Sequence, residues 1–210
     1  IMVPFPSNDS ALKFIHQVAS QGLMNPRSLE YIDSTGIGIM KKNESFPFQD
    51  ESVGALVYSN QEYSDFDSSL SEWLRVLNQQ RLPGNLIDKT IVAATEKERN
   101  EMASWRHFIP EWINEEYRKY EKTGGGKVGG DWWIPIDKML EMMNWFYRIS
   151  YEADIPYIAY AHMGNGHPHT NYFTRNSEER EKAVMLVKTA SKRAVSLGGG
   201  VAGEHGIGKI

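Results

Sequence analysis

Three of the six histidines in this chain fall within one short run, Tyr160-Ala161-His162-Met163-Gly164-Asn165-Gly166-His167-Pro168-His169-Thr170-Asn171-Tyr172-Phe173. Asn-Gly between two β-prone stretches favours a two-residue type I′ hairpin turn. With Asn165-Gly166 as that turn, Gly164 pairs with His167, Met163 with Pro168, and His162 with His169. Directly opposed residues share a face with Cβ atoms about 4.5–5.5 Å apart. Two imidazoles at that separation can converge on one divalent ion. The spacing therefore predicts a two-histidine half-site, with His167 one step nearer the turn on the face of His169. A surface hairpin whose histidines do no chemistry is the competing reading. Pro168 demands an edge strand, or an amide position turned away from the ladder.

The second chemical signal is Gly198-Gly199-Gly200-Val201-Ala202-Gly203-Glu204-His205-Gly206-Ile207-Gly208. Gly198, Gly200 and Gly203 match G-x-G-x-x-G in form. The run follows a helix rather than a strand, and no helical pattern opens after it, so a dinucleotide loop is rejected. Glycines also let a backbone approach a ligand or a ligated ion closely. Adjacent side chains in an extended segment point to opposite sides. Glu204 can then complete a His-His-Glu metal set while His205 faces a substrate as a base. A solvated Glu-His pair after a helix end is the alternative.

These segments need a scaffold. Residues 1–5 read as a strand. A capping cluster at Ser7-Asn8-Asp9-Ser10 opens a helix that Gly22 ends. Residues 28–32 read as a strand, 33–50 as a loop, and 53–58 as a strand. Residues 66–77 form an amphipathic helix containing Trp73. Residues 90–94 read as a strand. Thr95 and Glu98 form a capping box for a helix to Pro110, with a second helix over 111–120. Residues 122–130 read as a mobile glycine-rich loop and 132–136 as a strand. Asp137 caps a helix to about Tyr151 that buries Met139, Leu140, Met143, Phe146 and Tyr147. Residues 156–162 and 167–173 are the hairpin strands. Asn176 or Ser177 caps the last helix, and 198–208 form an open loop. The order predicts an α+β domain of ferredoxin-like type, an antiparallel sheet covered by helices on one face, and it admits two related halves.

Composition narrows the partners. The chain has 210 residues, no cysteine, 40% apolar and 24% charged residues, and a formal net charge of −4. Thiolate metal sites are excluded, so a metal must be held by His and carboxylate. No basic stripe suits nucleic acid. No apolar run reaches the roughly 18 residues of a membrane span, and no signal peptide is visible. A cytoplasmic location fits. Both ends read as cut, at Ile1 and directly after the Glu-His motif.

Taken together, His-x-Gly-Asn-Gly-x-x-His and the later Gly-Glu-His-Gly-Ile-Gly resemble the C-terminal domain of FAD-linked oxidases. The branch is that of D-lactate dehydrogenase, the glycolate oxidase flavin subunit and D-2-hydroxyglutarate dehydrogenase. Phe5-Pro6-Ser7, Trp105-Arg106 and Ile134-Pro135-Ile136 also look like this family, so the resemblance spans nearly the whole chain. It implies a ferredoxin-like cap over a separate N-terminal FAD-binding domain. It also implies His162, His169 and Glu204 as ligands of a divalent metal, Zn or Mn. His205 matches the catalytic base, Asn171 a substrate contact and Arg106 a substrate-carboxylate contact, with an exposed helical arginine as the alternative.

The hairpin departs from the family at Asn165, usually Asp, and at His167, usually Asn. Both sit where a flavin or substrate contact is expected, and His167 is also able to add a metal ligand. The implied reaction oxidises a small 2-hydroxy acid to a 2-oxo acid. Hydride passes to FAD, and an electron acceptor reoxidises the flavin. The 210 residues alone should be inactive and bind FAD poorly. A His-His-Glu hydrolase or oxygenase, and a non-catalytic interaction subunit, are the rival classes.

Overall fold

The computed structural model describes residues 1–80, 82–204 and 206. Six strands, β1 (Met2–Phe5), β2 (Ser28–Ile32), β3 (Ala55–Asn60), β4 (Gly126–Asp131), β5 (Tyr157–His162) and β6 (His167–Thr174), form one sheet in the order β1-β3-β2-β5-β6-β4. Every neighbouring pair is antiparallel. The order is symmetric about the β2–β5 seam. On one side lie β1, α1 (Asn8–Gln21), β2, β3 and α3 (Phe66–Asn78). On the other lie β4, α6 (Met139–Ala153), β5, β6 and α7 (Ser177–Ser196). Each half thus runs βαββα, with its third strand between its first two, and the two related halves are present.

Local sequence explains the principal helices. Ser7 and Ser10 form a reciprocal capping box for α1, and Gly22 ends it in the left-handed region at φ 63°. Asp65 caps α3 and Asn176 caps α7 through backbone amides three residues on. Helices α1, α3, α6 and α7 bury Phe14, Trp73, Phe146 and Ala190 against the upper face, together with Phe5, Val57, Trp132 and Tyr172.

The lower face carries a second core. It holds α2 (Ser34–Met40), the short α4 (Gly84–Ile87) and the long α5 (Glu96–Arg118), through Ile37, Leu86, Met102, Trp105, Ile109 and Ile113 over Met2, Ile32 and Leu56. Helices on one face only is therefore corrected. The four helices of the βαββα repeats do share a face, and the helices inserted between strands take the other.

Other elements differ from expectation for identifiable reasons. Residues 34–40 are helical because the buried Asp33 caps them through the Gly36 amide at 2.9 Å. Residues 90–94 contribute only a single bridge, Ile91 to Met2. The two helices expected over 95–120 are one, with Pro110 inside. Its apolar stripe, Met102, Trp105, Ile109 and Ile113, packs continuously on the lower core across the proline. Residues 126–131 form the edge strand β4, where Gly129 and Gly130 lie close against β6: a Cβ on them would come 3.1 Å from Asn171 Oδ1 and 2.7 Å from Thr170 Oγ1.

Residues 132–136 are not a strand; Trp133 makes one bridge, to Gly200. Asp137 lies in a 3₁₀ turn, Ile136–Lys138, and the residue capping α6 is Lys138, without a side-chain bond. Among the described residues, no helix is long and apolar enough to cross a membrane.

Candidate active site

The hairpin between β5 and β6 is wider than Asn-Gly alone predicts. Met163–Asn165 make a 3₁₀ turn and Gly166 closes it at φ 67°, so four residues connect the strands. The register sets His162 opposite His167 and Tyr160 opposite His169. This corrects the two-residue turn and the direct His162–His169 pairing. The cause is tertiary. Met163 is fully buried, and Gly164 presses on Leu29, where a Cβ would approach to 2.9 Å. Gly166 accepts from the Ile134 amide at 2.9 Å.

The change of register is even, so no side chain moves to the other face. His162, His167 and His169 all remain on the lower face. Their ring centroids are 5.2 Å apart for His162–His169, 4.6 Å for His167–His169 and 5.9 Å for His162–His167. Pro168 lies beyond the last pair of β4, Asp131↔His169, so no strand pairs with it on that side.

Glu204 is delivered by the glycine run after α7. Trp133 and Gly200 exchange backbone hydrogen bonds at 3.1 and 3.0 Å, and the Gly203 amide donates to Asp131 O at 3.1 Å. The Glu204 amide then donates to Asp131 Oδ2 at 3.2 Å. Gly203 must be glycine, since a Cβ would fall 1.9 Å from His167 Nε2. Glu204 Oε1 ends 3.4 Å from His169 Nε2 and 3.7 Å from His162 Nε2.

The ligating atoms of His162, His169 and Glu204 lie within 4.8 Å of one another. Two imidazoles and one carboxylate at that spacing suit a divalent ion. His169 is held neutral, the form that coordinates. Burial, then the neighbouring His167 and His162, lower its pKa to about 4 against the opposing pull of Glu204 and Asp131.

Two carboxylates stand behind the histidines. Asp131, at the end of β4, takes a close hydrogen bond from His167 Nε2 and lies 3.6 Å from His169 Nδ1. Asp131, His167 and His169 form a second group of possible ligands. Glu30, on β2, accepts from His162 Nδ1 at 2.9 Å and pairs with Arg106 of α5 at 2.9 Å. A cleft of about 450 Å³ opens over the cluster, lined by Trp133, His162, Asn165, His167, Gly203 and Glu204.

The structure thus brings His162, His169, Glu204, His167 and Asn165 together. Asn171 lies two residues beyond His169 on the same face, buried. Arg106 sits behind His162 on Glu30 rather than on the cleft wall. His205 lies outside the described residues. Glu30, Asp131 and Trp133 escaped the sequence reading. The signal for Glu30 was a lone carboxylate between Leu29 and Tyr31 in a strand. That for Asp131 was a carboxylate closing a glycine run, and that for Trp133 a tryptophan doublet of which only one member can be buried.

Comparison with known proteins identifies the family. The C-terminal domain of FAD linked oxidases matches residues 1–210, and the chain belongs to that family. It is similar to a D-lactate dehydrogenase of Archaeoglobus fulgidus, 22% identical over 213 residues, covering 100% of this chain and 43% of that protein. It is also similar to the glycolate oxidase subunit GlcD of Bacillus subtilis, 29% identical over 79 residues, covering 37% of this chain and 17% of that one. The chain therefore spans less than half the length of these relatives.

Among solved structures, an alkyldihydroxyacetonephosphate synthase shares the fold at TM-score 0.55 and 13% identity, covering 95% of this chain and 39% of that one. The 4-ethylphenol oxidase of Gulosibacter chungangensis does so at TM-score 0.54 and 12% identity, covering 95% and 44%.

Proposed function

We propose that this chain is the substrate- and metal-binding domain of a flavin-dependent dehydrogenase or oxidase that converts a 2-hydroxy acid, of glycolate or D-lactate type, to the 2-oxo acid. The observation that carries the reading is the convergence of His162, His169 and Glu204 beneath a cleft, in a family whose relatives here include proteins named for those two substrates. The three residues would hold a divalent ion, Zn or Mn, which when bound supplies a Lewis acid that lowers the pKa of a substrate hydroxyl. FAD, assigned to a separate FAD-binding domain, supplies the redox capacity, and an electron acceptor reoxidises it.

The chain's own residues orient substrate and handle the proton. His205 is the base and needs its neutral form to accept the hydroxyl proton. Asn171 is assigned to the substrate carboxylate's side, and Asn165 and His167 to the lip of the cleft that faces the flavin; Arg106, engaged by Glu30, is withdrawn from the substrate and holds that carboxylate behind His162. Trp133, 40% exposed, gives the cleft an apolar wall.

The test is metal titration beside steady-state kinetics on glycolate and D-lactate with the intact protein. Glu204→Gln removes the charged ligand but leaves a weak carbonyl donor, so it should weaken metal binding, and excess metal should restore part of the rate. His205→Ala should keep its metal while turnover falls roughly 10²–10⁴-fold. Loss of metal in His205→Ala, with metal and rate both retained in Glu204→Gln, reverses the assigned roles.

A further inference from the structure

We propose that Glu30 is a positioning residue for His162, fixing the tautomer and ring orientation that leave Nε2 for the metal; this rests on His162 being a ligand. The β2–β5 ladder pairs Tyr31 with Ala161 and Ile32 with Tyr160, which sets Glu30 directly across from His162 on the lower face. The two oxygens of Glu30 have separate jobs. Oε1 accepts from His162 Nδ1 at 2.9 Å, and Oε2 accepts from Arg106 at 2.9 Å. Glu30 is 8% exposed. A carboxylate so buried is retained at low cost only when its oxygens are bonded, and here both are.

A neutral imidazole that donates from Nδ1 carries its lone pair on Nε2. That nitrogen of His162 is the one facing Glu204 Oε1, at 3.7 Å. The carboxylate therefore selects the coordinating tautomer and stops rotation about the ring axis. Arg106, from α5, anchors the carboxylate in turn. His169 differs, since Asp131 Oδ1 lies 3.6 Å from its Nδ1, beyond hydrogen-bond distance, and is engaged by His167 Nε2. A role confined to tethering α5 to the sheet through Arg106 would leave metal affinity untouched.

The experiment is a double-mutant cycle on the intact protein, with Mn²⁺ affinity read by electron paramagnetic resonance of the unbound ion. Glu30→Ala should weaken Mn²⁺ binding about 10–100-fold, the range for partners that orient metal ligands. Glu30→Gln, nearly isosteric and still able to accept from Nδ1, should lose several-fold, and it decides the matter if the alanine variant does not fold. In a His162→Ala background the same changes should cost nothing further, because Glu30 acts only through that ring. Unchanged affinity in the Glu30 variants, or losses that persist without His162, overturns the assignment. A wild-type protein that binds no Mn²⁺ or Zn²⁺ would instead sink the metal reading itself.

Discussion

The two halves of the sheet share one topology and use the lower face in opposite ways. In the first half, β1, β3 and β2 present Met2, Leu56, Tyr58 and Ile32 to α2 and α5, as apolar core. In the second, β5, β6 and β4 begin the same way, with Ile158 and Phe173 in that core and Phe173 stacked on Tyr117 at 4.4 Å. Toward the hairpin, the positions on this face become Asn171, Tyr160, His169, Asp131, His162 and His167. The upper face shows no such divergence, since both halves bury it under two helices. The layer the halves have in common and the apolar part of the lower face carry the packing, which leaves one end of that lower face available for chemistry. Glu30 and Arg106 are where the first half reaches across the seam to the site of the second.

The sharpest way to break this comparison is to truncate one lower-face residue from each region. His169→Ala should weaken divalent-metal binding by more than about 100-fold, beyond the effect of losing a partner that merely orients a ligand, while leaving the urea midpoint close to wild type. Ile109→Ala, fully buried under the first half's apolar face, should lower stability by about 2–5 kcal/mol and leave metal affinity essentially unchanged. If the histidine variant unfolds or the isoleucine variant loses metal, the face is not divided as described.

A matched pair of glycines gives a smaller effect. A Cβ at Gly203 would meet His167 Nε2 at 1.9 Å, and one at Gly36 would meet Ile32 Cγ2 at 2.5 Å. Gly203→Ala should displace Glu204 and weaken metal binding about tenfold, in the range seen for misplaced ligand shells. Gly36→Ala should cost about 1–3 kcal/mol of stability by overpacking with no change in affinity. Calorimetric titration and thermal melts of both variants check this.

Much of the layout was legible from sequence because its signals are local. Ser7, Thr95 and Asn176 announce their helices by capping, and the β-prone runs of 156–162 and 167–173 announce strands. The histidine cluster was legible for a similar reason, since any even register leaves His162 and His169 on one face.

The exact turn was not legible. Its width is set by Leu29 and Ile134, far from Asn165-Gly166 in the chain. The strand at 126–131 was hidden because its glycines respond to the close approach of β6, which no local pattern reports. Glu30 and Asp131 were missed for the same reason, because their partners lie 132 and 36 residues away respectively.

The smallest predicted effect concerns Asp33, which joins the halves. Its carboxylate accepts from Gly36 N at 2.9 Å in α2 and from Ala159 N at 2.7 Å in β5. Its own amide donates to Ala159 O at 3.1 Å. Burial raises its pKa from 3.8 to about 7, against the lowering influence of those amides. The folded state therefore binds this proton more tightly than the unfolded chain. The stability linked to Asp33 is fully present below about pH 3.8 and is lost as pH rises through about 7. His169 runs the other way. Its folded pKa, lowered from 6.5 to about 4, makes stability rise with pH between those values and level off above 6.5, so the wild-type profile is a difference of two opposed slopes. Asp33→Asn separates them. The amide keeps one acceptor but turns a donor toward the second backbone N–H, so the variant should be less stable at every pH. Its stability should nevertheless rise slightly from about pH 6 and level off above 6.5 to about pH 8, where the wild-type curve falls. Urea midpoints across that range decide it, and parallel curves for the two proteins would show that Asp33 does not titrate there.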